Sequence, residues 1–415
     1  MAEPGVDYGD IEAALALLDD PSVVRETPVE RSTTLEGKTG AASVRLKMEH
    51  LQWTGSFKTR GAYNKLKKCV EEEQLEACIA ASAGNHAQGV ALAATKLGLD
   101  ATIVMPKTAP QTKVDATRGY GATVELVGRN FQEAKRRATE LTGDPGTVFV
   151  DAYDDRDIVA GQGTLGMELH EQLPDVDTVV VPVGGGGLIS GVATAFAELA
   201  PEVRVVGVQA DKAATVPDSL DKGIPQTVEE VDTIADGIAT GGISELTLAS
   251  IRDHVDEVVT VSDDDISRAV LLLLERAKQV VEGAGAASVA AILDDDLDVS
   301  GETVAPLLSG GNLDITMLQT TLIHALTARR QLLRLEVLID DVPGQMADLS
   351  DVIADHGANI RSVRHDRAVE DLDVGEAYLV FEIETSGATH AHNIIEAIAD
   401  RGYEVSRING EGAVS

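Results

Sequence analysis

Cysteine is nearly missing: the 415 residues hold two, Cys69 and Cys78. That is too few for a disulfide framework, and no histidine stands at zinc-ligand spacing from either. Both read as small apolar side chains in a reducing compartment. Long apolar runs are missing too. No stretch approaches the ~20 residues that a membrane-spanning helix needs, which excludes a helical membrane protein. The opening MAEPGVDYGDIEAALALLDDP has no basic segment followed by an apolar core and a small-residue cleavage site. A secretory signal is therefore not expected, and the expected location is cytoplasmic.

Positive charge is the third shortage. There are 34 basic against 69 acidic residues, a net charge of −35 and a pI near 4.5. Lysine is the scarcer base, with 13 against 21 arginines and none after Lys278. This balance argues against nucleic acid as a partner. Such an acid excess repels itself in dilute buffer, whereas at ~1 M salt the Debye length is about 3 Å and most of the repulsion is screened. The composition therefore implies adaptation to molar salt, a halophilic protein.

Metal motifs are absent as well. The runs Asp263 to Asp265 and Asp294 to Asp296 lack the alternating ligands, glycine and terminal glutamate of an EF-hand loop, and read as solvated surface. Ser262 and Asp265 fit a helix-capping pair. His390 and His392 read as exposed side chains, and no metal site is expected.

What is there is alternation. From about residue 75, short apolar strands such as CIAAS (78–82), ATIVMP (101–106), ATVELVG (122–128) and TVFVD (147–151) alternate with helical stretches. A second series runs through TVVVPVGGGG (178–187), VRVVGVQA (203–210), VDEVVTVS (255–262) and ETVAPLLSGGN (302–312). This is the pattern of an α/β fold with a mostly parallel sheet, and the glycine clusters at strand ends lie where ligands bind in such sheets. After Arg330 the order becomes strand, helix, strand, strand, helix, strand, a ferredoxin-like βαββαβ unit. The expected domains are 1–330, with a smaller lobe at about 55–155, and 331–415.

Four loops carry candidate chemistry. GGGGLIS (184–190) joins a strand to a helix, an arrangement suited to anions. In a dinucleotide fingerprint the sixth position is glycine, but here it falls on Ile189 or Ser190, so a monophosphate cradle fits better. TGSFKTRGAYNKL (54–66) puts Lys58 at the start of an apparent helix, where the helix dipole and nearby Arg60 both favour the unprotonated amine a Schiff-base lysine requires. SAGNH (82–86) and SGGN (309–312) each close a buried strand with small residues and a polar side chain. One lysine, one phosphate loop and two polar glycine loops are the parts of a pyridoxal phosphate site.

Taken in order, SFKTRGA, SAGNHAQGVA, VPVGGGGLISG, EGAGAAS and LLSGGN resemble the threonine dehydratase (threonine ammonia-lyase) group of fold-type II pyridoxal phosphate enzymes, over nearly the whole chain. The C-terminal unit resembles an ACT domain. The resemblance implies a two-lobed, open parallel-sheet catalytic domain followed by a small-molecule sensing module. It also implies β-elimination of L-threonine, and of L-serine, to 2-oxobutanoate or pyruvate and ammonia, feeding isoleucine biosynthesis.

By the same resemblance, Lys58 binds the cofactor covalently and then takes the α-proton, and Ser82 is the second catalytic residue. Phe57 packs on the ring. Gly184, Gly185, Gly186, Gly187 and Leu188 give backbone N–H groups to the phosphate. Asn85 meets the ring 3'-oxygen and Ser309 the ring nitrogen, where a neutral serine favours elimination over transamination. Ser82, Asn85 and His86 hold the substrate carboxylate. Glu282 lies in EGAGA, either near the cofactor or structural. The serine racemases of the group carry a second serine where this chain has Ala83, which argues against racemisation. Gln209 and Thr215 stand where their cation ligands would be.

In the ACT-like unit, Gly344 and Asn359 fall where amino-acid effectors sit in that family, with isoleucine the expected effector. The fold implies a homodimer or homotetramer. A serine dehydratase or a β-replacing synthase remains as an alternative enzyme, the synthase needing an acceptor site for a sulfur nucleophile. An amino-acid sensor with a decayed site is a third reading, which absence of cofactor colour would favour.

Overall fold

Residues 178–182, Thr-Val-Val-Val-Pro, are buried at every position, as an interior strand of a parallel sheet requires. By contrast, residues 332–340 alternate between buried and partly exposed, as in a sheet covered on one face. The computed structural model describes residues 5–72, 75–143, 145–228, 231–294, 296–369 and 372–408. The chain divides into two compact units, 1–318 and 319–415. Among the described residues no helix is long and apolar enough to cross a membrane.

The first unit contains β1 (Val29–Arg31), β2 (Ser43–Lys47), β3 (Ala77–Ala81), β4 (Asp100–Met105), β5 (Thr123–Leu126), β6 (Thr147–Phe149), β7 (Thr178–Pro182), β8 (Arg204–Ala210), β9 (Glu257–Val261) and β10 (Thr303–Pro306). They form two sheets. The larger has the order β1-β2-β10-β7-β8-β9, parallel except for β1, and the smaller β5-β4-β3-β6 is wholly parallel. Strand alternation divides each core between two faces. Val180, Val206 and Val304 face the helix Gly283–Leu293, whereas Val179, Val181 and Val205 face the helices Arg156–Gln172 and Gly187–Leu199. Cys78 is one of the side chains filling the smaller lobe, where burial pushes its thiol up to about 12, and both cysteines are free.

The second unit has β11 (Leu332–Asp340), β12 (Asn359–Asp366), β13 (Glu376–Glu384) and β14 (Glu404–Arg407) in the antiparallel order β12-β13-β11-β14. The helices Gln345–Asp355 and Ala388–Asp400 pack on one face of this sheet through Leu349, Ile353, Ile394 and Ile398. The expected βαββαβ order is therefore present.

Three local results refine the expectations. Ser262 and Asp265 form a capping box, each side chain accepting the other's backbone N–H. The helix that Ser262 caps is not regular throughout. After Leu272 it widens into a π-turn at Leu273–Ala277 and ends at Lys278, whose φ is +60°. His392 is exposed as expected, whereas His390 is partly covered, with Nδ1 accepting from the Ser386 N–H and Nε2 meeting the His356 carbonyl.

Candidate active site

The candidate residues converge because their loops follow the C-terminal ends of parallel strands: Ser82–Asn85 after β3, Gly184–Gly187 after β7 and Ser309–Asn312 after β10. The loop before Lys58 is fixed to the last of these. Ser56 bridges Gly310 in antiparallel fashion, the Phe57 N–H donates to the Ser309 carbonyl at 3.2 Å, and the Gly311 N–H donates to the Gly55 carbonyl at 2.9 Å.

Lys58 opens the helix Lys58–Glu72. Its Nζ donates to the Ala152 carbonyl at 3.2 Å and lies 5.0 Å from the centre of the Phe57 ring. Burial pushes the amine down to about 8, against the opposing charges of Asp151 and Glu282. Arg60 takes no part in this, contrary to the expectation from spacing. Its guanidinium is sealed from water and bound to Glu49 and Glu168.

In the Gly184–Gly187 loop, Gly186 has φ +89°, in the left-handed region that favours glycine, and is the N-cap of the helix Gly187–Leu199. A Cβ on Gly185 would overlap the Tyr153 ring, and one on Gly186 would lie 2.8 Å from Thr247 Cβ. The Thr247 hydroxyl also donates to the Gly185 carbonyl at 2.9 Å. Close packing thus requires these glycines in addition to any ligand. Among the described residues, the N–H groups of Gly184 through Leu188 have no protein acceptor, so a row of donors at a helix N-terminus is available to an anion. With a base-leaning buried amine and a buried serine, Ser309, in the adjoining loop, the residues fit pyridoxal phosphate.

Residues 22–310 match the family described as pyridoxal-phosphate dependent enzyme, and residues 333–403 match the ACT domain. The chain belongs to the family of pyridoxal-phosphate dependent enzymes. It is 45% identical over 396 residues to L-threonine ammonia-lyase of Thermotoga maritima, covering 95% of this chain and 98% of that protein. Among solved structures, the processed form of threonine deaminase isoform 2 from Solanum lycopersicum has a TM-score of 0.72 at 38% identity, covering 77% of this chain and 95% of that one. Maize serine racemase has a TM-score of 0.72 at 32% identity, covering 79% of this chain and all of that one. The resemblance read from the motifs is therefore borne out.

Within this pyridoxal-phosphate dependent enzyme, the remaining candidates divide. The Ser82 hydroxyl accepts from the Gly84 N–H at 3.1 Å, and Asn85 opens the helix Asn85–Leu97. His86 is buried, and burial together with the nearby Lys58 charge pushes it down to about 4. The imidazole is thus neutral, and its Nε2 donates to the Val150 carbonyl at 2.9 Å. Its remaining ring nitrogen is an acceptor, which leaves only the His86 backbone N–H to meet a carboxylate. The buried Gln209 oxygen accepts from the N–H groups of Thr215 and Val216, so this carboxamide ties down its own loop. Among the described residues no cluster of three or more His, Cys, Asp or Glu could hold a metal.

Gly344, with φ +108°, caps the helix Gln345–Asp355, and Asn359 opens β12 and donates to Glu384 at 3.2 Å. Register sets them apart. Asn359 and Leu332 both pair with Glu384, whereas Gly344 follows Asp340, which pairs with Glu376. Eight strand residues separate these levels, on the order of 25 Å, so one effector molecule does not touch both in one chain.

Sequence reasoning missed Tyr153 and Thr247, the packing partners of the glycine loop. Tyr153 was within reach, because it follows TVFVD at the end of β6, the fourth strand of the smaller lobe and an equivalent ligand-facing position. Thr247 had no such signal, since its helix Glu245–His254 reaches the loop only through tertiary packing.

Proposed function

We propose that the chain eliminates water from L-threonine, and from L-serine, and that the resulting enamine then takes up water and hydrolyses to 2-oxobutanoate or pyruvate with ammonia. The observation that carries this reading is the Lys58 amine, lowered by burial and donating to the Ala152 carbonyl, beside Phe57, whose N–H ties this segment to the Ser309 carbonyl. The similarity to proteins named for threonine deamination supports the substrate.

Lys58 would anchor the cofactor and would serve as the base that takes the α-proton. The N–H groups of Gly184 to Leu188 would hold the phosphate, Phe57 would pack on the ring, and Ser309 would meet the ring nitrogen without a formal charge. Asn85 meets the ring oxygen. The substrate carboxylate would be held by Ser82 and by the backbone N–H groups of Asn85 and His86. Bound pyridoxal phosphate supplies an electron sink for the pair left by the α-proton. Ala83 leaves the opposite face without a hydroxyl base, which favours elimination over racemisation.

The same reading places the enzyme in the cytoplasm, in isoleucine synthesis, as a homodimer or homotetramer working in molar salt. Isoleucine is the proposed effector, contacting Gly344 of one copy and Asn359 of another, since the two lie far apart within one chain. An isothermal titration without heat on adding isoleucine, together with unchanged activity, would remove that assignment.

The deciding experiment is 2-oxobutanoate release from L-threonine in molar potassium chloride, with Lys58→Ala alongside. Release by the wild type and none by the variant are expected. A cofactor-loaded wild type that releases pyruvate from L-serine but nothing from L-threonine would make it a serine dehydratase instead.

A further inference from the structure

The Glu282 carboxyl has no part in the reaction as derived, yet it sits among the cofactor loops. It comes into place after the π-turn and the left-handed Lys278, and its N–H donates to the Gly310 carbonyl at 3.1 Å. Three side chains then form a line. Asn312 Nδ2 donates to the Thr54 carbonyl at 2.6 Å and to Asn85 Oδ1 at 2.7 Å, and Asn85 Nδ2 donates to Glu282 Oε1 at 2.6 Å.

The direction of this line follows from one fact, that a backbone carbonyl only accepts. Facing Thr54, Asn312 must present its NH₂ end. Its second N–H then meets Asn85, which must answer with its oxygen. Asn85 therefore turns its own NH₂ end to Glu282, gives one hydrogen to the carboxyl, and has one hydrogen left. An amide that could otherwise sit either way round is fixed as a donor.

Space for the line is kept by glycine. A Cβ on Gly310 would overlap Glu282 Oε1, and one on Gly55 would overlap Asn312 Oδ1. Burial pushes the Glu282 carboxyl up to about 7, and in either protonation state it keeps an oxygen able to accept from Asn85.

We propose that Glu282 and Asn312 are positioning residues that together lock the Asn85 amide so that it offers an N–H, not a carbonyl, to the ring oxygen of the cofactor. This rests on the assignment of Asn85 to that oxygen. A carbonyl turned to the same point would face a second acceptor and repel it, so the lock acts on cofactor affinity and on the protonation of the bound cofactor.

The test uses the holoenzyme and its apoenzyme in molar potassium chloride. Two quantities are read: the cofactor dissociation constant, and the pH midpoint of the visible cofactor band. Asn312→Asp, which cannot donate to Thr54 or Asn85, is expected to weaken cofactor binding tenfold or more and to move the midpoint. Glu282→Leu should do the same, while Glu282→Gln, which still accepts from Asn85, should remain within about threefold of the wild type. In an Asn85→Ala background the Asn312→Asp change should have no further effect, because the residue acts through Asn85.

If Asn85→Ala moves both quantities but Asn312→Asp and Glu282→Leu do not, the lock is overturned and the role of Asn85 survives. If Asn85→Ala itself leaves both quantities unchanged, the lock falls together with the assignment beneath it. Should Asn312→Asp not fold, as judged by circular dichroism, the contrast between Glu282→Leu and Glu282→Gln decides alone. Equal effects of those two would overturn the proposal.

Discussion

Arg60 and Glu49 meet through two parallel hydrogen bonds, Nε to Oε2 at 2.9 Å and Nη2 to Oε1 at 2.8 Å, with both side chains sealed from water. The pair is extended by Glu168, which binds Arg60 at 2.6 Å and Lys47 at 2.5 Å. Two cations and two carboxylates thus share one buried site. Although burial opposes its charge, Arg60 is held above its ordinary value by Glu49 and Glu168. Arg60 lies two residues from Lys58 on the same helix, Lys47 is the last residue of β2, and Glu49 opens the short turn Glu49–Leu51 that follows. The network therefore joins the helix bearing Lys58 to the larger sheet.

Removing one carboxylate from this site leaves a buried cation without its partner. Glu49→Ala is expected to lower stability by about 3–5 kcal/mol, read from urea unfolding in molar potassium chloride. Arg60→Lys should not restore the wild-type value, because an ammonium lacks the planar fork that Glu49 engages. A loss below about 1 kcal/mol for Glu49→Ala would put the pair in the class of surface ion pairs.

The Tyr153 ring lies where a side chain on Gly185 would go. Gly185→Ala must therefore displace either the ring or the glycine loop, and the loop carries the N–H donors that are available to an anion. Cofactor affinity is expected to fall tenfold or more, as measured by titrating the apoenzyme. Adding Tyr153→Ala should recover part of the loss by giving the new methyl room. No recovery would mean that the methyl acts on the loop backbone alone.

Much of this was legible beforehand, for reasons particular residues make plain. The all-apolar VVVP of β7 and the alternation of LLRLEVLID in β11 declare a parallel interior strand and a one-sided antiparallel one. Lys58, Asn85, the four glycines and Ser309 stood in loops after such strands, or beside them in a recognisable motif. The strands β1 and β2 went unread because VER and SVRLK are short and carry charge. The mistaken role for Arg60 has a similar cause: spacing put it near Lys58, while its partner Glu168 lies more than a hundred residues away and meets it only in the fold.

Lys58 sets a pH dependence that can be measured without substrate. Burial lowers its amine from the ordinary lysine range to about 8, with Asp151 and Glu282 pulling the other way. Only the free base attacks the cofactor aldehyde, so the rate of cofactor capture by the apoenzyme should rise with pH, reach half its maximum near pH 8 and level off above it. An ordinary lysine would continue to gain up to about pH 10 and beyond. Asp151→Asn removes a charge that favours the ammonium form and should move the midpoint lower. A wild-type midpoint near the ordinary lysine value of about 10 would show that the amine is solvated.

Salt should act on the surface and spare the buried network. The net charge of −35 is spread over acids that are mostly exposed, and their repulsion reaches about 10 Å at 0.1 M salt but only about 3 Å at 1 M. The thermal midpoint is therefore expected to rise steeply between about 0.1 and 1 M potassium chloride and to flatten beyond, as screening saturates. Sucrose, which favours compact states without screening charge, should not reproduce the steep part. The cost of Glu49→Ala should stay nearly constant across the same range, since ions do not enter its site. Full stability in dilute buffer would mean that the acid excess serves something other than life in salt, and an equal response to sucrose would point to exclusion of cosolute from the surface in place of screening.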